Sequence, residues 1–133
     1  MALIVETGAS VAGAETYVTV AQLRAYAAKR GATLPASGAA GDAACEVLLI
    51  KAMDYLQAQE HRYMGDRTYF DQPLAWPRFD VEINGYDLDP NSIPDELKNA
   101  QMVLAIEAQS LDLLPTLDAG AQQGPTTKEK VDV

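Results

Sequence analysis

Histidine and cysteine are nearly missing from this chain: each occurs once, as His61 and Cys45. One cysteine excludes an internal disulfide framework and fits a reducing compartment. Its neighbours Ala43, Ala44, Val47 and Leu48 predict a buried small hydrophobe. Two such ligands are too few for a zinc site unless carboxylates complete it. His61 stands beside Glu60 with no oriented nucleophile in reach of the reading, so a solvated histidine outweighs a general base. No apolar run approaches the roughly 18–20 residues of a membrane span, and no membrane partner is expected. The opening "MALIVETGAS" has no basic residue before its apolar run and does not read as a secretory signal. The stretch "GASVAGAE" lacks the lysine and the strand–turn–helix setting of a phosphate cradle. Ser10, within it, has no nucleophile-elbow context. The chain is expected to be no enzyme and to need no cofactor or metal.

Cations are scarce too. Ten Lys and Arg face 19 Asp and Glu, a net charge of −9. Neutralising phosphates supplies most nucleic-acid affinity, so this sign argues against wrapping nucleic acid as the main task. It suits a surface past which nucleic acid slides without sticking. What remains is ordinary: 133 residues, 48% hydrophobic and 22% charged. That predicts one domain with a single modest core.

The pattern predicts a mainly α fold: a small bundle of three main helices, an irregular loop lobe carrying a short β-hairpin, and an extended C-terminal arm. Residues 1–16, small and Gly/Ala-rich, read as a flexible segment in which Leu3–Val5 could form a short edge strand. In "YVTVAQLRAYAAKRG", Thr19 is the N-cap, Gln22 completes a capping box, Val18 staples onto Leu23, and Gly31 ends the helix. Asp42 is expected to cap the second helix, over 43–59. Val47, Leu48, Leu49 and Ile50 are consecutive there, so this helix is apolar on more than one side. Ser92 is expected to cap the third, with Pro94 in its first turn, Asp95 favouring the dipole and Pro115 as the stop. Leu97, Ala100, Leu104, Ala108 and Leu111 share one face, while Val103 and Ile106 lie off it. The helical domain thus covers 17–114 and the arm 115–133, where "KVDV" could pair as an added strand.

Between the second and third helices, residues 60–92 are irregular, and so long a loop is uncommon unless functional. "VEINGYDL" alternates around Asn84-Gly85, the dipeptide of type I′ hairpins. The same region imitates the front of an EF-hand loop, but Asn91 stands where a bidentate glutamate is needed. "HRYMGDRTYFDQPLAWPRF" interleaves arginines and aromatics as a single-strand stacking platform does. Acidic Glu60, Asp66, Asp71 and Asp80 lie in or beside it, and the reading of a loop folded inward outweighs the platform. Pro73 and Pro77 bracket Trp76, the only tryptophan. They restrict the backbone around it. Trp76 is expected to plug the helix layer, with Arg78 presented on the rim.

Several blocks resemble a known family. They are Glu6-Thr7-Gly8; Tyr17-Val18-Thr19-Val20 with Tyr26 and Arg30-Gly31; Ala52-Met53-Asp54-Tyr55-Leu56; Gln72-Pro73-Leu74-Ala75-Trp76-Pro77-Arg78; Asn84-Gly85-Tyr86; and Ile93-Pro94-Asp95-Glu96-Leu97-Lys98-Asn99-Ala100. Together they resemble the head–tail connector, or adaptor (head-completion), proteins of tailed bacteriophages, over roughly residues 5–114. "LAWPR" and "IPxxLxxA" are the most specific blocks. Members are sometimes labelled DnaT-like single-stranded-DNA-binding proteins. The resemblance implies a helical subunit of a homo-oligomeric ring, typically of twelve copies, under the portal protein. Such a ring docks the tail, or a stopper or tail-terminator protein. Packaged double-stranded DNA passes its lumen without sequence-specific binding. It implies a place in the virion neck after assembly in the bacterial host cytoplasm, and a C-terminal arm that reaches the portal. Structural or interface candidates are Trp76, Pro77, Arg78, Ile93, Pro94, Leu49, Val103 and Ile106, with Lys128, Lys130, Val131 and Val133 in the arm. The alternative is a single-stranded-DNA-binding accessory protein, whose salt-sensitive binding would be lost on Trp76→Ala or Arg78→Ala.

Overall fold

Thr19 opens the first helix as its sequence predicts. In the computed structural model, which describes residues 2–115, α1 spans Val20–Lys29. The Thr19 hydroxyl accepts from the Gln22 N–H at 3.1 Å, and Gln22 Oε1 accepts from the Thr19 N–H at 2.8 Å. Two helix-start donors are thereby satisfied. Val18 and Leu23 are fully buried in one cluster, which closes the staple. Gly31, at φ +67°, turns the chain away.

The other two helices start elsewhere than expected. α2 spans Ala39–Ala58, and its N-cap is Gly38. Asp42 lies inside the first turn and pairs with Arg24 of α1 at 2.7 Å. A distant arginine has recruited the acid that local reading assigns to the cap. A Cβ on Gly41 would stand 1.6 Å from the Ala36 carbonyl oxygen, so the loop packs directly onto this turn. α3 spans Asp95–Glu107, with extended Pro94 as its N-cap. The Ser92 hydroxyl donates to the Asp89 carbonyl at 2.7 Å and so ties the preceding turn instead of capping. The helix ends well before Pro115. Its buried face is Leu97, Gln101, Met102 and Ala105, continued by Ala108, while Leu111 is exposed.

α2 packs chiefly on α3, and α1 lies against both. Val18, Leu23, Cys45, Leu49, Ala52, Met102 and Ala105 fill the space between the helices. A second cluster seals the loop lobe onto them through Tyr17, Met53, Leu56, Leu74, Trp76, Val81, Ile93 and Leu97. The lobe begins with a 3₁₀ turn, Glu60–Arg62. β1 (Asp66–Arg67) then pairs antiparallel with β2 (Arg78–Phe79). β3 (Glu82–Ile83) and β4 (Tyr86–Asp87) form the expected hairpin, with Asn84 at φ 54° and Gly85 at φ 83° as in a type I′ turn. The architecture is thus mainly helical, with three helices and two small antiparallel pairs.

The N-terminal segment, expected to be flexible, is tied down instead. Val5 bridges to Thr16. The buried Glu6 carboxylate accepts from the N–H groups of Gly8 at 2.9 Å, Ser10 at 2.9 Å and Val11 at 3.0 Å. A Cβ on Gly8 would fall 2.1 Å from the Asn91 carbonyl oxygen, so this loop closes against the lead-in to α3. The proposed arm, with Lys128, Lys130, Val131 and Val133, lies outside the described residues.

Candidate functional site

Trp76 is 6% exposed and sits in the cluster that joins the lobe to the helices. Its backbone N–H donates to the Tyr17 hydroxyl at 3.3 Å, and its ring meets Tyr63 edge-on with centroids 5.5 Å apart. The peptide bond to Pro77 is cis. Gln72 Nε2 donates to the carbonyls of Leu74 at 2.8 Å and Pro77 at 2.9 Å, while Gln57 Oε1 accepts from the Ala75 N–H at 2.9 Å. The loop is therefore held from both sides, and the indole acts by packing.

Arg78 does not stand on the rim. It is 5% exposed. Its guanidinium donates to the carbonyls of Met64 at 2.9 Å, Gly65 at 2.7 Å and Ala75 at 3.1 Å, and to Glu60 Oε2 at 3.2 Å. Arg67 grips the same carboxylate with two bonds, of 2.6 and 2.8 Å. Two of the three arginines that gave the segment its look of a stacking platform, Arg67 and Arg78, are thus spent on internal bonds, while Arg62 is exposed. The aromatics divide: Trp76 is buried and Tyr63 half-buried, while Phe70 is 96% and Tyr86 78% exposed.

The Arg67 hydrogen bonds, aided by Arg78, hold the Glu60 carboxyl below its ordinary value. A carboxyl depressed in the folded state stabilises above its unfolded pKa and loses that contribution as pH falls through the folded one. Native protein is therefore expected to weaken as pH drops below about 4.3, the ordinary glutamate value. Glu60→Gln should lower stability at neutral pH and flatten this acid limb, as read from urea midpoints taken across pH.

Cations gather elsewhere. Arg24, Arg67 and Arg78 are ion-paired. Of the five other Lys and Arg among the described residues, three border one groove between α1 and α3: Lys29, Arg30 and Lys98. The groove holds about 410 Å³, with Val18 and Met102 in its lining and Gln22, Asn99 and Asp95 along it. The Arg30 guanidinium lies 3.6 Å from the centroid of the Tyr26 ring, close enough for cation–π attraction. Sequence reading missed this site because Lys98 is remote from Lys29 and Arg30. The one local signal was Tyr26 and Arg30 at i, i+4 spacing. A larger hollow, about 610 Å³, lies among Lys51, Asp54 and residues 108–114, with one cation beside the carboxylates of Asp54 and Asp112.

A family profile described as "Putative DnaT-like ssDNA binding protein" matches residues 1–133. The chain belongs to this family. No curated protein matches it, and neither does any solved structure.

In this DnaT-like family member the remaining sequence candidates separate by burial. Leu49 is wholly inside the helical core, so it offers nothing to a neighbour. Ile93 and Pro94 are buried at the lead-in to α3. Val47 and Val103 are 53% and 44% exposed, while Ile106 is half-buried. The extra apolar sides of the second and third helices thus reduce to a few side chains instead of a continuous stripe. His61 is exposed. Among the described residues, no group of three or more His, Cys, Asp or Glu could hold a metal ion. No helix there is long and apolar enough to cross a membrane.

Proposed function

We propose that this protein is a structural subunit of a tailed-phage neck, a head–tail connector that forms a ring beneath the portal. The reading starts from the sequence blocks around Trp76 and Ile93. The observation that carries it is the way the lobe holds Phe70 and Tyr86 out into solvent on a firmly braced frame. Exposed aromatic side chains on pre-organised loops are anchors for protein contacts, because little entropy is lost when they dock. A ring subunit needs such contacts to its neighbours, to the portal above, and to a tail, stopper or tail-terminator protein below. The net charge of −9 suits a lumen through which duplex DNA moves without adhering. The reading places the protein in the virion neck, assembled in the host cytoplasm, and gives it no catalytic step. Imaging a purified neck should show this chain as a closed ring, twelvefold by the resemblance. Its absence from the particle refutes the reading.

A second reading is single-stranded DNA binding, which the family's description names. The cationic groove favours it. Trp76 and Arg78 are too buried to touch a strand, so contact would fall to Lys29, Arg30 and Lys98. Fluorescence anisotropy with an oligonucleotide at low salt decides between the two. Micromolar or tighter binding that weakens about tenfold in Lys98→Glu and flattens with salt would put this reading first.

A further inference from the structure

We propose that the α1–α3 groove receives the β3–β4 hairpin of a second copy of this chain. The proposal rests on the ring reading and names one of its contacts.

The hairpin carries an electrostatic conflict. Its register sets Glu82 directly opposite Asp87. Like charges in that position repel and weaken a strand pair. Asp80 and Asp89 flank the pair, and all four acids are exposed. None of them joins an ion pair among the described residues. Tyr86, on the opposite face of the ribbon from Glu82 and Asp87, is 78% exposed. The hairpin is stiff nonetheless: its type I′ turn and the Leu88 N–H bonded to the Val81 carbonyl at 2.8 Å fix its shape. It is a pre-formed, acidic, aromatic-tipped knob.

The groove is its counterpart. Lys29, Arg30 and Lys98 rim it, and Ala25, the half-buried Tyr26 ring and Met102 give it apolar surface against which an aromatic ring can lie. In the same chain a hollow of about 370 Å³ lies between the hairpin and Ile93–Glu96, and Asp95 borders both this hollow and the groove. Knob and groove are unlike patches of one chain, and the ring reading joins them head-to-tail. Such a contact repeats from copy to copy and closes into a ring when the rotation allows. A nucleic-acid strand fits less well, because its phosphates would lie beside Asp95 in the groove of a chain whose net charge is −9.

Disulfide trapping between two full-length chains, both carrying Cys45→Ala, tests this. One bears Tyr86→Cys and the other Lys98→Cys. Under mild oxidation the mixed disulfide should form about tenfold faster than when the exposed His61→Cys replaces Tyr86→Cys, because docking raises the effective concentration. Adding Asp87→Lys to the hairpin chain should slow trapping about tenfold, and adding Arg30→Glu to the groove chain should then restore it. Rates equal to the His61→Cys control overturn the proposal. So does an oligonucleotide that shields Lys98→Cys from alkylation while no mixed disulfide forms, which assigns the groove to nucleic acid. If imaging finds the ring and trapping fails, only this contact falls. A neck without the chain removes the ring itself.

Discussion

Arg78→Ala is expected to destabilise the protein by about 3–5 kcal/mol. The side chain is 5% exposed and spends its donors on three carbonyls and one carboxylate. Alanine leaves Met64, Gly65 and Ala75 with carbonyls oriented toward an empty space, and each unsatisfied buried group costs about 1–3 kcal/mol. Glu60 keeps Arg67, so the loss is less than that of stripping a buried charge of every partner. Arg78→Lys should recover only part of it. An ammonium has three donors on a flexible stem and cannot reproduce the planar fork. Urea unfolding checks this: the midpoint should fall with the slope unchanged. A loss under about 1 kcal/mol would mean that water replaces the guanidinium, and the lobe would then not be braced by it.

Gln101→Ala is expected to cost about 3–4 kcal/mol, from a cavity plus lost hydrogen bonds. Gln101 is fully buried at the middle of α3. Its Oε1 accepts from the Tyr17 N–H at 3.0 Å, and its Nε2 donates to Thr16 Oγ1 at 2.7 Å and to the Leu49 carbonyl at 3.2 Å. One side chain therefore joins the N-terminal segment, α2 and α3. Gln101→Leu separates the two contributions. It keeps most of the volume and removes the bonds, so its loss of about 1–3 kcal/mol reads the orphaned Tyr17 N–H. Equal losses in the two variants would show that the bonding, and not the space, matters.

What could be read from the sequence was what neighbouring residues decide. Thr19 with Gln22 fixes the start of α1, Asn84-Gly85 fixes the hairpin, and the two prolines around Trp76 fix a plug. The misplaced features depend on partners far along the chain. Asp42 is drawn from its cap by Arg24, and Ser92 turns back to Asp89. The N-terminal segment looked loose because Glu6 organises it from the inside, and a carboxylate reads as a surface residue in any pattern. Gln72, Arg78 and Gln101 were hidden for the same reason: periodicity finds apolar faces and passes over polar groups whose bonds let them be buried. The β1–β2 pair, two residues a side, is too short for alternation to show. The cationic groove exists only once α1 and α3 lie side by side.

The Gln101 clasp spans 84 residues to Tyr17 and 85 to Thr16. A ribosome releases that early stretch long before the glutamine that completes it. Closing so long a loop is slow, and the entropy is lost before any contact rewards it. The clasp on Tyr17 and Thr16 must therefore wait for nearly all of the helices, and a chain halted ahead of position 101 lacks the side chain that joins its first residues to α2 and α3.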